Sequence, residues 1–215
     1  MPVGFLAFVI VVGVAGLPGC TDGNAGIPIG APAEVLRRAP ERTEREAGRI
    51  VIASDLAEYS GVIDFEASSG EVWPVVERGA SRGDPIALRG DVVADDGDVL
   101  RGPTSTNPFL AVRLVRGATN VRPFGGRQVR GGSALQYRVE IETDRALANT
   151  PTAERPALRE AFAAAKAARS FTADVFVDAR GRITRIDLPR DLRYPATKNR
   201  RGFVATTTIE LIWPA

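Results

Sequence analysis

Short runs of alternating apolar and polar residues recur along most of this chain. In the first half they are RIVIAS (49–54), YSGVIDFEA (59–67), EVWPVV (71–76) and PIALRGDVV (85–93). In the second of these runs Ile63 and Phe65 fall on one face of a strand, while Asp64 and Glu66 fall on the other. A period of two, bounded by turn residues, is typical of antiparallel strands. We therefore predict that this half of the chain is largely β-structure.

The alternation is clearest in the second half of the chain. In LQYRVEIET (135–143) the apolar positions are Leu135, Tyr137, Val139 and Ile141. In FTADVFVDARGRITRIDL one strand carries Val175 and Val177 on its apolar face, DARG turns the chain, and a second strand returns. The last run, GFVATTTIELIW (202–213), has the same period. One apolar and one polar face per strand predicts a sheet packed on one side.

One segment, NPFLAVRLVRG (107–117), has a helical period instead. Its boundary residues are the types that begin and end helices: Asn107 as N-cap, Pro108 at the first position and Gly117 past the end. Leu110 and Leu114 would share the apolar face, and Arg113 and Arg116 would lie towards the polar edge. This segment is predicted to be a short amphipathic helix.

Two further helices are predicted. One begins near Glu34 and is ended or broken by Pro40. The other runs from about residue 156 to 169 and places Leu158 and Phe162 on one apolar face. The fold class is therefore α+β and mainly antiparallel β, with two or three short helices. A broad apolar sheet face under so few helices either packs solid or encloses a cavity.

The chain opens on an uncharged, apolar stretch that ends in LPGC (17–20) and holds the single cysteine, Cys20. The apolar run is too short to span a bilayer comfortably and has the length of a secretory h-region. It resembles a bacterial lipoprotein signal, which implies that Cys20 is lipidated; the alternative is an ordinary buried cysteine. We expect a signal peptide at 1–19, a Gly/Pro-rich tether at 20–33 and one domain at 34–215.

Composition narrows the chemistry that the domain can perform. The chain has no histidine, so the usual general base and the commonest metal ligand are missing. With its cysteine used as an anchor, no disulfide or thiol nucleophile remains. The formal charge is +2 with both signs interspersed, which is not typical of nucleic-acid binding. We therefore predict no enzyme activity, no metal and no cofactor.

Four short motifs suggest chemistry, and each has a simpler interpretation. DDGD (95–98) suggests calcium but lacks the further ligands of a calcium loop, so we expect a plain turn between strand residues 85–93 and 99–101. Asp64 and Glu66 suggest a carboxylate pair, yet outward solvated positions explain both. GGRQVRGG (125–132) suggests a phosphate loop but has no helix after it, so a β-hairpin is expected. KNRR (198–201) suggests binding of lipid headgroup phosphates, but a solvated loop before the last strand is the favoured interpretation.

Three segments taken in order resemble one family. TNPFLAVRLVRGATNVRPFGG, VRGGSALQYRVEIETDRAL and FTADVFVDARGRITRIDLP follow one another as in actinobacterial lipoproteins of the LppX/LprA/LprF/LprG type, within the LolA/LolB-like lipoprotein-carrier superfamily. The resemblance covers roughly residues 34–213 and is strongest from 107 to 188. The stretch from 70 to 106 departs from the pattern, and Phe176 stands where the family often has tryptophan.

The resemblance implies a LolA-like half-open β-barrel whose concave face is closed by helices over an apolar cavity. Its implied ligand is a lipid or acylated glycolipid, carried along the envelope by a protein anchored through Cys20 to the extracytoplasmic face of the cell membrane. The candidate cavity residues are Ile63, Phe65, Leu110, Leu114, Tyr137, Val139, Ile141, Leu158, Phe162, Val175 and Val177. Two alternatives stay open: a structural or sensory envelope lipoprotein that binds a protein partner, and a carboxylate hydrolase.

Overall fold

The computed structural model describes residues 30–54, 57–75, 83–90, 107–164, 168–194 and 203–214. The strands are β1 (Ala47–Ala53), β2 (Glu58–Asp64), β3 (Ser69–Pro74), β4 (Ile86–Arg89), β5 (Ala118–Val129), β6 (Gly132–Glu142), β7 (Ser170–Asp178), β8 (Ile183–Tyr194) and β9 (Phe203–Ile212). The helices are α1 (Pro32–Thr43), α2 (Pro108–Leu114), α3 (Thr143–Ala148) and α4 (Arg155–Ala164), with a 3₁₀ turn at Val115–Gly117. Within these residues no helix is long and apolar enough to cross a membrane.

The nine strands of the described residues form one sheet with the order β4-β3-β2-β1-β9-β8-β7-β6-β5. Every neighbouring pair is antiparallel, and the sheet stays open, with β4 and β5 at its edges. The connection from β4 to β5 runs from one edge to the other and carries α2, while α3 and α4 join β6 to β7. The predicted α+β, mainly antiparallel half-open barrel with short helices is confirmed.

The core lies between the inner face of the sheet and the helices. Buried side chains from α1, α2 and α4 form one continuous apolar cluster with inward residues of the strands. Phe65 lies at one end of this cluster, with its ring edge-on to Phe109 at 5.1 Å and 6.0 Å from the Trp213 ring. The period-two alternation of the sequence is therefore the pattern of a sheet covered on one face.

Three glycines let the strands approach unusually closely on the β3-β2-β1-β9 side of the sheet. A Cβ atom added at Gly48, Gly61 or Gly70 would lie 2.6, 1.8 or 2.7 Å from a carbonyl oxygen of the neighbouring strand. Real Cβ atoms do not make such contacts, so only glycine fits this backbone. Glycine inside a strand commonly marks a tight bend or a close backbone approach, which suits a sheet that curls into a half-barrel.

Helix α1 is held against the β7–β8 turn by its last residues. The fully buried Thr43 hydroxyl donates to the Ala39 carbonyl at 2.8 Å and accepts from the Ile183 backbone N–H at 2.9 Å. Arg42 donates to the Arg180 carbonyl at 2.7 Å. The prediction that Pro40 ends or breaks this helix is wrong. A proline removes one helical donor, but these contacts hold the final turn in place.

Replacing Thr43 with valine is expected to lower the free energy of unfolding by about 2 kcal/mol, because the buried Ile183 N–H loses its acceptor while the side-chain volume is kept. Urea denaturation followed by circular dichroism measures this. Thr43→Ser keeps the hydroxyl and is expected to stay closer to wild type. A Thr43→Val variant as stable as wild type would contradict the role assigned to this hydrogen bond.

Other boundaries differ from the predictions for local reasons. β2 ends at Asp64, short of the predicted residue 67, because the Asp64 carboxylate accepts from the Ala67 N–H at 2.8 Å and Ser68 has φ of 50°. The six-residue α3 follows β6 directly and was not predicted. The N-cap of α2 is confirmed, since the Asn107 side chain accepts from the Phe109 N–H at 3.0 Å. The expected strand residues 91–93 and 99–101 lie outside the described residues.

Candidate functional site

The residues proposed to line a cavity all lie in the apolar cluster between sheet and helices, here called the interior layer. Their exposed fractions range from 0% to 7%. They are Ile63, Phe65, Leu110, Leu114, Tyr137, Val139, Ile141, Leu158, Phe162, Val175 and Val177. The fold thus brings together residues from three strands, two helices and the turn after β2. In this structure their side chains are packed as a core.

Neighbouring strands supply the central part of the interior layer. Tyr137 pairs directly with Val175, and Val139 pairs with Ala173, so their side chains share the inner face. Burial raises the pKa of the Tyr137 phenol, which keeps this group neutral. A neutral, apolar surface of this kind can accommodate acyl chains, and it offers no general base.

Helix α4 covers the interior layer and packs beside α3. Its start is held by Arg155, which donates to the carbonyls of Thr150 at 2.8 Å and Ala148 at 3.0 Å. Beyond that point it is held through Leu158 and Phe162, which are 1% and 7% exposed. Ten-residue helices are marginal alone, so the position of α4 depends on this packing.

A second apolar feature lies on the outer face of the sheet, and we call it the β1–β4 groove. It has a volume of about 590 Å³, and its lining includes Ala47, Val62, Asp64, Ser69, Glu71, Ala87 and Arg89. Val62 is 52% exposed and lies opposite Arg49 and Glu71 in the strand register. The sequence interpretation missed this groove, although one signal was present: Val62 is an apolar residue on the polar face of its strand.

A pocket of about 470 Å³, here called the α1–α3 pocket, lies between α1, the 3₁₀ turn and α3. Three arginines (Arg37, Arg116 and Arg145) and two glutamates (Glu34 and Glu41) line it together with small apolar residues. The Glu34 carboxylate accepts from Arg37 at 2.7 and 2.8 Å. This carboxylate is also 2.6 Å from Arg38, so one acid serves two arginines.

Arg116 is the least exposed of the polar residues that line this pocket. Its side chain is 8% exposed and donates to the Glu44 carboxylate. Within the described residues, Nη1 of Arg116 and Oε1 of Glu44 are buried without a hydrogen-bond partner. Burial raises the pKa of Glu44 in spite of the nearby arginines. The prediction that Arg116 lies on a polar helix edge is wrong, since α2 ends at Leu114 and the following turn directs Arg116 inward.

Glu34 makes the stability of the fold depend on pH in the acidic range. The hydrogen bond from Arg37 is the main cause that lowers the pKa of this carboxyl to about 2. Its unfolded pKa is about 4.3, so the stabilising contribution is complete above that pH and is lost as pH falls towards 2. Melting temperatures of wild type and Glu34→Gln are expected to differ slightly at pH 6 and to converge at pH 2. A difference independent of pH would contradict this assignment.

The other motifs singled out in the sequence gain no catalytic role. Asp64 stabilises the β2–β3 turn and Glu66 is exposed, so the carboxylate-pair interpretation has no converging geometry. The GGRQVRGG segment is a β-hairpin as expected, with Arg130 and Gly131 at φ of 47° and 83° in its turn. No group of three potential metal ligands occurs in the described part of the chain. Cys20, DDGD and KNRR lie outside that part.

Comparison with known proteins gives similarities in structure only. No protein-family profile matches the sequence, and no curated protein matches it. The fold is similar to that of lipoprotein LppX from Mycobacterium tuberculosis, at 12% identity over 84% of this chain and 93% of LppX, with a TM-score of 0.48. It is also similar to LprF from Mycobacterium bovis, at 11% identity over 87% and 95% of the two chains, with a TM-score of 0.46. Both belong to the lipoprotein type that the sequence motifs resemble.

Proposed function

We propose that the protein is a lipid-anchored envelope lipoprotein that binds a lipid or acylated glycolipid in the interior layer and transfers it to another acceptor. One observation carries the proposal: all the residues expected to line a cavity lie together between the sheet and its short helices. Each buried methylene contributes about 0.8 kcal/mol, so an acyl chain binds there without catalytic groups.

Access to the interior layer requires α4 to move away from the sheet. Exposing Leu158 and Phe162 would cost about 1.5–3 kcal/mol for each side chain. An inserted segment of about eight methylenes would contribute about 6 kcal/mol, which offsets that cost. The acyl chain would then take the place of these two side chains in the interior layer. Ligand and helix therefore compete for the same apolar surface.

The anchor would keep this domain near the membrane. In the proposal, Cys20 carries the lipid on the extracytoplasmic face of the cell membrane, and more than one acyl chain is needed for stable attachment. The part of the proposed tether that precedes α1, residues 20–31, would have a mean span of roughly 19 Å as a flexible chain. That distance allows the domain to receive a lipid from the bilayer surface while it stays attached.

Quenching by brominated acyl chains tests where the ligand lies. We would compare F162W in the interior layer with V62W in the β1–β4 groove, each against wild type, which has its own two tryptophans. With brominated phosphatidylcholine the extra fluorescence of F162W is expected to be quenched strongly and that of V62W weakly. Strong quenching in V62W alone would place the chain in the outer groove and contradict the proposal.

The β1–β4 groove supports a second candidate function, a non-carrier envelope lipoprotein that binds a protein partner. The observation behind it is Val62, which is 52% exposed in a groove of about 590 Å³ while the interior layer is packed. An exposed apolar patch with a charged rim is typical of protein interaction sites. Under this function V62E would abolish capture of an envelope protein, and lipids would not bind at all.

A further inference from the structure

We propose that the α1–α3 pocket is a binding site for an oxyanion, the phosphate ester of its ligand. The inference deepens the lipid-binding proposal and rests on it for one point only, namely that the oxyanion belongs to a lipid headgroup. The residues that would bind it are Arg145, Arg37 and Arg116, which come from α3, α1 and the 3₁₀ turn and line one pocket of about 470 Å³.

Arg145 is the residue that is free to bind a ligand. It is exposed on α3 and lines the pocket, and within the described ranges its side chain has no hydrogen-bond or ion-pair partner. A guanidinium group offers five N–H donors in a planar arrangement that matches phosphate and carboxylate oxygens. Arg145 can therefore bind an anion without first breaking an existing contact.

Arg116 supplies the second, independent observation. It lines the same pocket with a side chain that is only 8% exposed, and its Nη1 is buried without an acceptor in the part of the chain that is described. A buried unsatisfied donor is uncommon in folded proteins and commonly marks a water or ion site. Oε1 of its partner Glu44 is unsatisfied as well. Arg116 thus adds a second, buried guanidinium group to the pocket lining beside the exposed donors of Arg145.

The charges around the pocket favour an anion. Its lining residues and their direct ion-pair partners comprise four arginines (Arg37, Arg38, Arg116 and Arg145) and three glutamates (Glu34, Glu41 and Glu44). Glu34 already forms ion pairs with Arg37 and Arg38, so it does not neutralise Arg145. Glu44 is occupied by Arg116. The pocket therefore carries one excess positive charge. An anionic ligand would neutralise this charge, whereas a neutral ligand would not.

Two probes separate a soluble oxyanion from a lipid headgroup. The full chain would be purified in a nonionic detergent and titrated with glycerol 3-phosphate by calorimetry. Native mass spectrometry would then measure competition between phosphatidylglycerol and diacylglycerol, which have equal acyl chains but differ in phosphate. The variants are Arg145→Gln and, as a matched control, Arg159→Gln. Arg159 is exposed on α4, lies outside the pocket lining, and changes the net charge equally.

Loss of the Arg145 donors is expected to weaken glycerol 3-phosphate binding at least about tenfold, with Arg159→Gln unchanged. Phosphatidylglycerol is expected to outcompete diacylglycerol in wild type and to lose this advantage in Arg145→Gln. Arg145-dependent glycerol 3-phosphate binding without any lipid preference would identify a soluble oxyanion as the ligand and would keep the site.

The inference is overturned if Arg145→Gln and Arg159→Gln bind both probes as wild type does, or if glycerol 3-phosphate and phosphatidylglycerol show no binding. The lipid-binding proposal fails separately. Equal binding of both lipids with no effect of Arg145 rejects the oxyanion site and keeps the carrier. Glycerol 3-phosphate binding through Arg145 with neither lipid bound rejects the carrier and keeps the oxyanion site.

Discussion

Replacing Gly61 with alanine is expected to lower the free energy of unfolding by about 3 kcal/mol, at the upper end of typical overpacking costs. The added Cβ would lie 1.8 Å from the Glu71 carbonyl oxygen and 2.7 Å from the Cα of Val72. These are backbone atoms, so no side chain can turn away to relieve the contact. β2 and β3 would have to separate where Gly61 pairs with Val72.

A matched variant isolates this effect from the general preference of strands against glycine. Gly126 lies in the edge strand β5, and an added Cβ there meets no atom within 4 Å. Gly126→Ala is expected to change the free energy of unfolding by less than about 0.5 kcal/mol, as is usual for surface positions. Urea denaturation measures both. A Gly61→Ala variant as stable as Gly126→Ala would contradict the close approach of β2 and β3.

Removing the carboxylate of Glu44 is expected to cost about 3 kcal/mol, because it leaves the guanidinium of Arg116 buried without its counter-ion. Arg116 is 8% exposed, and no other carboxylate contacts it in the described residues. Glu44 is 24% exposed, which places the expected cost of Glu44→Ala at the lower end for a buried pair. Thermal and urea denaturation of Glu44→Ala measure the loss.

The double variant Glu44→Leu/Arg116→Met provides the control for this pair. Two apolar side chains of similar volume leave no buried charge, so the double variant is expected to be within about 1 kcal/mol of wild type. The cycle uses the single variants Glu44→Leu and Arg116→Met. We expect the loss in the double variant to be smaller than the sum of the two single losses, and this difference is the coupling energy of the pair. Additive losses in the double variant would show that Glu44 and Arg116 act through packing and not through their charges.

Much of the fold could be predicted because a strand with one buried face has apolar residues at every second position of the sequence. Tyr137, Val139 and Ile141 alternate with polar residues and are all buried. Helix α2 was equally predictable, since Asn107 and Pro108 are common at helix starts. Helix α3 could not be predicted, because six residues are too few to display a helical period and its position comes from tertiary packing.

The α1–α3 pocket could not be predicted at all. Arg37, Arg116 and Arg145 lie far apart along the chain, and each looks like an ordinary exposed arginine in its local pattern. Only the fold places them in one pocket. Arg116 also shows that a helical wheel fails beyond the end of a helix, because the 3₁₀ turn changes the direction of its side chain.

The interior layer presents a different difficulty, because a solid core and a lipid cavity are built from the same side chains. Leu158 and Phe162 pack against the sheet in this structure, and the same two side chains would be displaced by an acyl chain. Burial alone therefore does not separate a carrier from a non-carrier lipoprotein. A direct observation of bound lipid does.

Native mass spectrometry of the protein tests the central claim most directly. Residues 21–215 would be exported by a cleavable signal without lipidation, purified gently from a lipid-containing host and weighed intact. The carrier proposal predicts discrete mass adducts that disappear on organic extraction and are identified as acyl lipids. A bare mass that stays bare after incubation with envelope lipids would contradict it, and would favour a protein partner at the β1–β4 groove.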